Sequence, residues 1–217
     1  LVKNIVDISR ISRGLIFLVG DLYQGGAEYA HETLQLLGSC DLKNEIVFEV
    51  FGMPPPGYLS AIDAAVSNWS LELSPESHDE EIRRCQDAKV FYSNAEMEAV
   101  VREALSHGCH RIDVFFMIGL AGQTRDSVLE TIRYCEKLFR LSDKRLSCFI
   151  SPLGPFLDPG SRGFEEPEAF GYRLFARTLE EHRQLLLQPS WKYMLNFETE
   201  WMSRAELVEA TYAAAEM

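Results

Sequence analysis

The chain has 217 residues, 47% hydrophobic and 25% charged, enough to bury one sizeable core. Its net charge of −12 makes a nucleic-acid or anionic-membrane surface a poor expectation, because phosphate contact needs a basic footprint. No run approaches the roughly 18 apolar residues of a membrane span and no charged-then-apolar segment opens the chain, so a cytoplasmic setting with five reduced cysteines is expected.

Short apolar strands alternate with amphipathic helices along most of the sequence. A strand is expected over 14–21, "GLIFLVGD", after which Gly25 and Gly26 open a helix whose stripe is Ala27, Ala30, Leu34 and Leu37. "NEIVFEVFG" (44–52) is the next strand, stopped by Pro54, Pro55 and Pro56, and a helix follows near Leu59 to Val66. "SLELSPES" (70–77) is the third strand, with Ser77 and Glu80 spaced as a capping box for a short helix. Ser93 and Glu96 repeat that signal ahead of Met97, Val100, Val101 and Leu105.

"RIDVFFMIGL" (111–120) is the most apolar run and reads as a fully buried fourth strand. A helix from about Thr124 then places Val128, Ile132, Cys135 and Phe139 on one face. "RLSCFISPLGP" (145–155) is the fifth strand, and a stretch rich in proline and glycine leads to a long helix from about Glu168 to Leu187 and a last one from about Ser203 to Ala215. Strands alternating with helices imply parallel pairing with right-handed crossovers.

An open doubly wound sheet and a partial (β/α) barrel both fit this order, and the alternation within strands favours the barrel. Ile46, Phe48 and Val50 share one face of the second strand while Glu45, Val47 and Glu49 share the other; Leu71 and Leu73 oppose Glu72 in the third. Helices on both faces would press Glu49 and Glu72 against apolar surface at several kcal/mol each, on the order usual for buried charges, whereas a polar lumen accommodates them.

In parallel barrels chemistry collects at the C-terminal ends of the strands. Here those ends read "VGD", "FEVFGMPPP", "LSPESHDE", "MIGLAGQT" and "SPLGPFLDPGS". Taken together they resemble the strand ends of radical S-adenosylmethionine enzymes, especially members often fused to a cobalamin-binding domain. The resemblance covers residues 1–161 as a partial radical S-adenosylmethionine barrel of five strands lacking the first. Residues 162–217 are similar to the C-terminal extension of one uncharacterised subgroup, expected to be helical and packed on the barrel.

The resemblance implies a site. Gly20 and Asp21 stand where the family receives the methionine ammonium, a task that suits a carboxylate. Glu76 and Ser77 stand where it contacts the ribose and the methionyl carboxylate, although Ser77 also reads as a helix cap. Gly119 and Gly122 match the turn that supports the adenine, with Ala121 and Gln123 in place of the family's usual proline and glutamate. Glu49 and Glu72 are either lumen acids that touch cofactor or substrate, or satisfied structural carboxylates.

The resemblance also implies S-adenosylmethionine and a 4Fe-4S cluster as cofactors of a parent enzyme, with cobalamin as an optional third. The family's cluster loop is C-x3-C-x2-C, yet Cys40, Cys85, Cys109, Cys135 and Cys148 lie 13 or more positions apart, and no local triplet exists. With Leu1 as the first residue, the chain is expected to be a fragment whose cluster ligands belong to an upstream region of the same protein, and to be inactive alone. A non-catalytic domain derived from the barrel remains a rival reading. So does an unrelated barrel enzyme using Glu49, Glu72 and Glu76 as acid-base groups. No zinc spacing joins the five histidines, and Trp191, Tyr193, Phe197 and Trp201 read as packing or interface aromatics.

Overall fold

A computed structural model describes residues 1–85, 91–142, 144–152 and 157–216. In chain order the elements are α1 (Val2–Ile11), β1 (Ile16–Leu18), α2 (Ala27–Gly38), β2 (Ile46–Val50), α3 (Tyr58–Ala65), β3 (Trp69–Glu76), α4 (Glu80–Cys85) and α5 (Asn94–Ser106). Next come β4 (Ile112–Ile118), α6 (Arg125–Phe139), β5 (Leu146–Pro152), α7 (Arg162–Glu165), β6 (Tyr172–Leu174), α8 (Leu179–Leu186), α9 (Trp191–Met194), β7 (Phe197–Thr199) and α10 (Arg204–Ala215). The first five strands form one parallel sheet in the order β1-β2-β3-β4-β5, a partial (β/α) barrel of the kind that the alternation favoured. Among the described residues no helix is long and apolar enough to cross a membrane.

Two compact units can be distinguished. The first comprises Leu1–Pro75, Tyr92–Phe115 and Lys137–Cys148. Within it, one face of the strands is fully apolar: Ile46, Phe48, Val50, Trp69, Leu71, Leu73, Ile112 and Val114 are all buried, as are Leu34 and Leu37 of α2 and Leu59 and Ile62 of α3. Trp69 Nε1 donates to Asp63 Oδ1 at 3.0 Å, tying α3 to the start of β3. The helix α5 begins with the expected capping box, in which Ser93 Oγ accepts from Glu96 N–H and the Glu96 carboxylate accepts from Ser93 N–H. Such a cap is worth about 1 kcal/mol.

The second unit comprises Glu76–Phe91, Phe116–Glu136 and Phe149–Met217. Its core gathers Ile118, Ala121, Val128, Leu157, Phe164, Tyr172, Leu195, Phe197, Met202, Leu207 and Ala210. Val128, Ile132 and Cys135 of α6 are buried as their spacing predicted, but Phe139, at the helix end, is exposed. Buried Asn196 accepts from Leu157 N–H at 2.8 Å and donates to Leu157 O, which anchors the chain between α9 and β7.

The single helix expected over 168–187 is not formed. Residues Pro167–Phe170 make a 3-10 turn, Gly171 ends it at φ +66°, and Tyr172 starts β6, which pairs antiparallel with β7 in the register Tyr172↔Thr199 and Leu174↔Phe197. The left-handed backbone at Gly171 breaks the helical run, and a Cβ there would lie 2.5 Å from the Trp201 ring. The helix resumes only at α8, behind a Thr178–Glu181 capping box. The C-terminal segment is thus helical with a two-stranded β element. The end of the expected fifth strand, 153–155, lies outside the described residues.

Phe197 is fully buried, so Phe197→Ala should cost about 3–5 kcal/mol. Leu179 is 88% exposed, and Leu179→Ala should stay within about 0.5 kcal/mol of wild type. Urea denaturation of the two variants measures the contrast; equal midpoints would show that β7 is not part of the core.

Candidate functional site

In the first unit the polar face of the strands carries an acidic row. Glu49 and Glu72 are register partners on β2 and β3, their Cα atoms about one strand spacing, ~4.8 Å, apart. Leu71 N–H donates to Arg111 O at 2.9 Å, which in a parallel ladder sets Asp113 of β4 level with Glu72. Three carboxylates therefore stand side by side. Glu45 lies on the same face of β2, where its carboxylate accepts from Ser70 Oγ at 2.6 Å and pairs with Arg111 at 3.4 Å; the same guanidinium donates to Asp113 Oδ2 at 2.8 Å.

Asp113 Oδ1 is buried without a hydrogen-bond partner among the described residues. Burial pushes the Glu72 carboxyl up to about 7, reinforced by the charges of Glu49 and Asp113 and only partly offset by Arg111. Like charges this close cannot all ionise cheaply, so the Glu72 carboxyl holds its proton to a higher pH than a free glutamate does.

Gly20 and Asp21 sit just beyond β1. Gly20, at φ +96°, donates its N–H to Glu49 Oε2 at 2.5 Å, which joins two of the residues singled out from the sequence. Asp21 has structural partners: its Oδ1 accepts from Tyr23 N–H at 2.8 Å and caps the 3-10 turn Leu22–Gly25, and Phe51 N–H also bonds the carboxylate. Burial nonetheless raises its pKa, with those two bonds opposing. Tyr58 lies beside it, fully buried, its hydroxyl unpartnered among the described residues and its ring edge-on to Tyr23 at 4.8 Å. Burial pushes the Tyr58 phenol above its usual range, with the charge of Asp21 adding to the effect.

In the second unit Glu76 ends β3 at φ +63°, a left-handed conformation uncommon for glutamate. Burial alone raises its pKa, and among the described residues nothing hydrogen-bonds its carboxylate. Ser77 is fully buried, but it is not the cap of α4. Its Oγ accepts from Asp79 N–H at 3.1 Å, and Asp79 Oδ1 takes the cap by accepting from Glu81 N–H at 2.9 Å. Asp79 wins because it directly precedes the first helical residue, where a carboxylate reaches the second helical N–H.

Gly119 and Gly122 both take positive φ, +100° and +80°, in the turn after β4. Gln123 locks that turn: its Oε1 accepts from Gly119 N–H at 2.8 Å and Leu120 N–H at 3.3 Å, and its Nε2 donates to Met117 O at 3.0 Å. An amide both donates and accepts, so glutamine suits the place better than an ionised glutamate. At Gly119 a Cβ would come within 3.1 Å of Phe197, so the glycine also makes room for β7. Burial, with the charge of Glu76 adding and the backbone amide of Ala121 opposing, pushes the Tyr172 phenol up to about 12.

The sequence reading missed Arg111 and Asp113 because it took the fourth strand as fully buried. Their two-residue spacing, which puts both on one face with Phe115 and Met117, was the available signal. Tyr172 was hidden in the expected long helix.

The described residues do not fit an iron-sulfur cluster or another metal. Among them no group of three His, Cys, Asp or Glu side chains is placed to hold an ion. Cys109, the most enclosed thiol, is pushed up to about 12 by burial and donates to Arg111 O at 3.1 Å, which makes it a structural group rather than a thiolate ligand.

No protein-family model and no curated protein matches the sequence. Among solved structures the chain is similar to the radical S-adenosylmethionine methyltransferase TsrM from Kitasatospora setae with cobalamin and a 4Fe-4S cluster bound. The identity is 12% and the TM-score 0.65, over 99% of this chain and 46% of that one. It is also similar to the same enzyme with tryptophan substrate and the S-adenosylmethionine analogue aza-SAM bound, at 12% identity and TM-score 0.55 over 70% of this chain and 30% of that one. The chain thus has the fold of radical S-adenosylmethionine enzymes and spans less than half the length of these structures.

The acidic row sets a pH dependence. Between its unfolded value of 4.5 and its folded value of about 7, Glu72 holds a proton in the folded state that the unfolded chain has released, so its contribution to stability falls as pH rises through that window. Glu72→Gln should gain on wild type steadily from about pH 4.5 to 7 and hold its advantage above. Urea midpoints across that range measure the difference; a constant offset would mean that Glu72 titrates normally.

Proposed function

We propose that this chain is the core and C-terminal region of a radical S-adenosylmethionine enzyme, and that it binds S-adenosylmethionine at the C-terminal ends of its parallel strands. In this reading the 4Fe-4S cluster, and cobalamin where the parent enzyme uses it, are held by an upstream region of the same protein. The observation that carries the reading is the fold, which follows a cobalamin- and cluster-bound methyltransferase over 99% of the chain.

The strand ends support it chemically. A carboxylate offers about four acceptor sites, and Asp21 uses two of them on Tyr23 and Phe51, which leaves capacity for an ammonium group. Glu76, with no partner among the described residues, has its acceptors available for hydroxyls. The protein would supply binding and orientation, while the difficult chemistry belongs to the cofactors.

A second reading is favoured by one observation. With its carboxyl near 7, Glu72 has the value expected of a general acid-base group at neutral pH, as an unrelated barrel enzyme using Glu49, Glu72 and Glu76 would need. Turnover of a glycoside or ester without reductant, abolished in Glu72→Gln, would favour it over the first.

Two outcomes are expected of the first reading. Without the cluster, which chelates the methionyl amine and carboxylate in the family, NMR titration should give a dissociation constant for S-adenosylmethionine on the order of millimolar, about −4 kcal/mol. Asp21→Ala should weaken it further, whereas His110→Ala should not; unchanged binding in Asp21→Ala would remove Asp21 from the site. Anaerobic incubation with iron and sulfide should also yield no cluster absorbance, and stoichiometric iron with a charge-transfer band would show that the cysteines meet after all.

A further inference from the structure

We propose that the acidic row across β2, β3 and β4 binds a small organic ammonium ion with an apolar stem: Glu49, Glu72 and Asp113 hold the charged end, and Phe17 and Phe115 border the stem. The inference rests on the geometry of the first unit and not on the proposed function. Where that function also holds, the amine belongs to a substrate separate from S-adenosylmethionine.

The row carries more negative charge than the residues around it match. Strand register sets Glu49 level with Glu72, and the bond from Leu71 N–H to Arg111 O sets Asp113 level with Glu72 on its other side. Arg111 is the cation at the row, and its guanidinium is divided between two acids: Nε donates to Asp113 Oδ2 at 2.8 Å, and Nη1 pairs with Glu45 at 3.4 Å. Glu49 receives the neutral N–H of Gly20 at 2.5 Å. Among the described residues nothing donates to the Glu72 carboxyl.

A second observation points to what is missing. Asp113 is only 9% exposed, and its Oδ1 is buried with no hydrogen-bond partner among the described residues. Buried acceptors are nearly always paired, so this oxygen marks the place of an absent donor. Because Asp113 stands level with Glu72, that donor lies beside two carboxyl groups. A neutral donor would satisfy the oxygen and leave the charge, whereas an ammonium ion answers both.

The geometry selects an organic cation. Among the described residues no three acidic, histidine or cysteine side chains converge closely enough to hold a metal ion. Carboxylates on strands ~4.8 Å apart suit the diverging N–H donors of an ammonium group. Phe17 lies on the same face of β1, level with Val47, and is 37% exposed; Phe115 follows Asp113 by two residues and shares its face of β4. Apolar surface therefore adjoins the acids on either side along the strands.

The test uses n-hexylamine, with n-hexanol as its neutral counterpart, in NMR titrations of the whole chain with carboxyl-13C glutamate reporting Glu72. The amine should bind and the alcohol should bind about ten-fold more weakly or not at all, as a charge-assisted contact requires. Affinity for the amine should rise about ten-fold from about pH 6 to 8 as Glu72 ionises, and saturating amine should lower the Glu72 midpoint. Asp113→Asn and Glu72→Gln should each weaken the amine about five-fold or more, and Glu72→Gln should also abolish the pH dependence. Equal binding of amine and alcohol, or an unmoved Glu72 midpoint, overturns the inference, as does magnesium chloride lowering that midpoint as far as the amine does. Should Asp113→Asn not fold, Glu72→Gln and the Glu72 midpoint decide alone. S-adenosylmethionine bound with the amine unbound overturns this inference alone, and the reverse overturns the proposed function alone.

Discussion

The structure depends on the two-residue period of its parallel strands. Because successive side chains point to opposite faces, β2, β3 and β4 can present an unbroken apolar face, from Ile46 and Trp69 to Ile112, while their other face carries Glu49, Glu72 and Asp113. The apolar face supplies the burial that offsets chain entropy. The acidic row follows from the particular register, which sets Glu49 level with Glu72 and Glu72 level with Asp113. Stability and unusual titration behaviour in the first unit come from the same geometry.

The second unit shows how a glycine can serve its neighbours as well as its own backbone. At Gly119 the positive φ forms the turn after β4, and the missing Cβ leaves space for Phe197. Phe197 meets Tyr172 edge-on and fills the space above Gly119, so β6 and β7 brace the turn that Gln123 closes from within. The C-terminal segment is therefore bound into the packing around the strand ends it follows in sequence.

The two sets of candidate residues differ in what the fold asks of them. Asp21, Gly20 and Ser77 are engaged in caps and turns, and any ligand role would be added to that structural one. Glu76 and Glu72 lack such an explanation; one has a strained backbone and the other a shared field of negative charge. Residues whose local structure already accounts for them are weaker evidence of function than those whose environment is costly.

Much of the fold was legible in the sequence. Strand alternation at Glu49 and Glu72, the capping signal at Ser93 and Glu96, and the apolar stripe of α2 through Ala30, Leu34 and Leu37 are local patterns, and local patterns are read from local physics. Where reading failed, a competitor stood nearby or far off in the chain. Asp79 displaced Ser77 as a cap because it sits next to the helix, and Gly171 broke the long helix where Trp201, 30 residues on, fills the place of a Cβ. Asp113 joined the acidic row, and Tyr172 came to Phe197, through pairings between segments distant in sequence. The sequence by itself determined the order and type of the five sheet strands and which of their faces is apolar, because period and propensity are properties of neighbouring residues. Only the tertiary structure decided which acids share a field and which tyrosine packs against Phe197, because those depend on strand register and on contacts that chain separation does not encode.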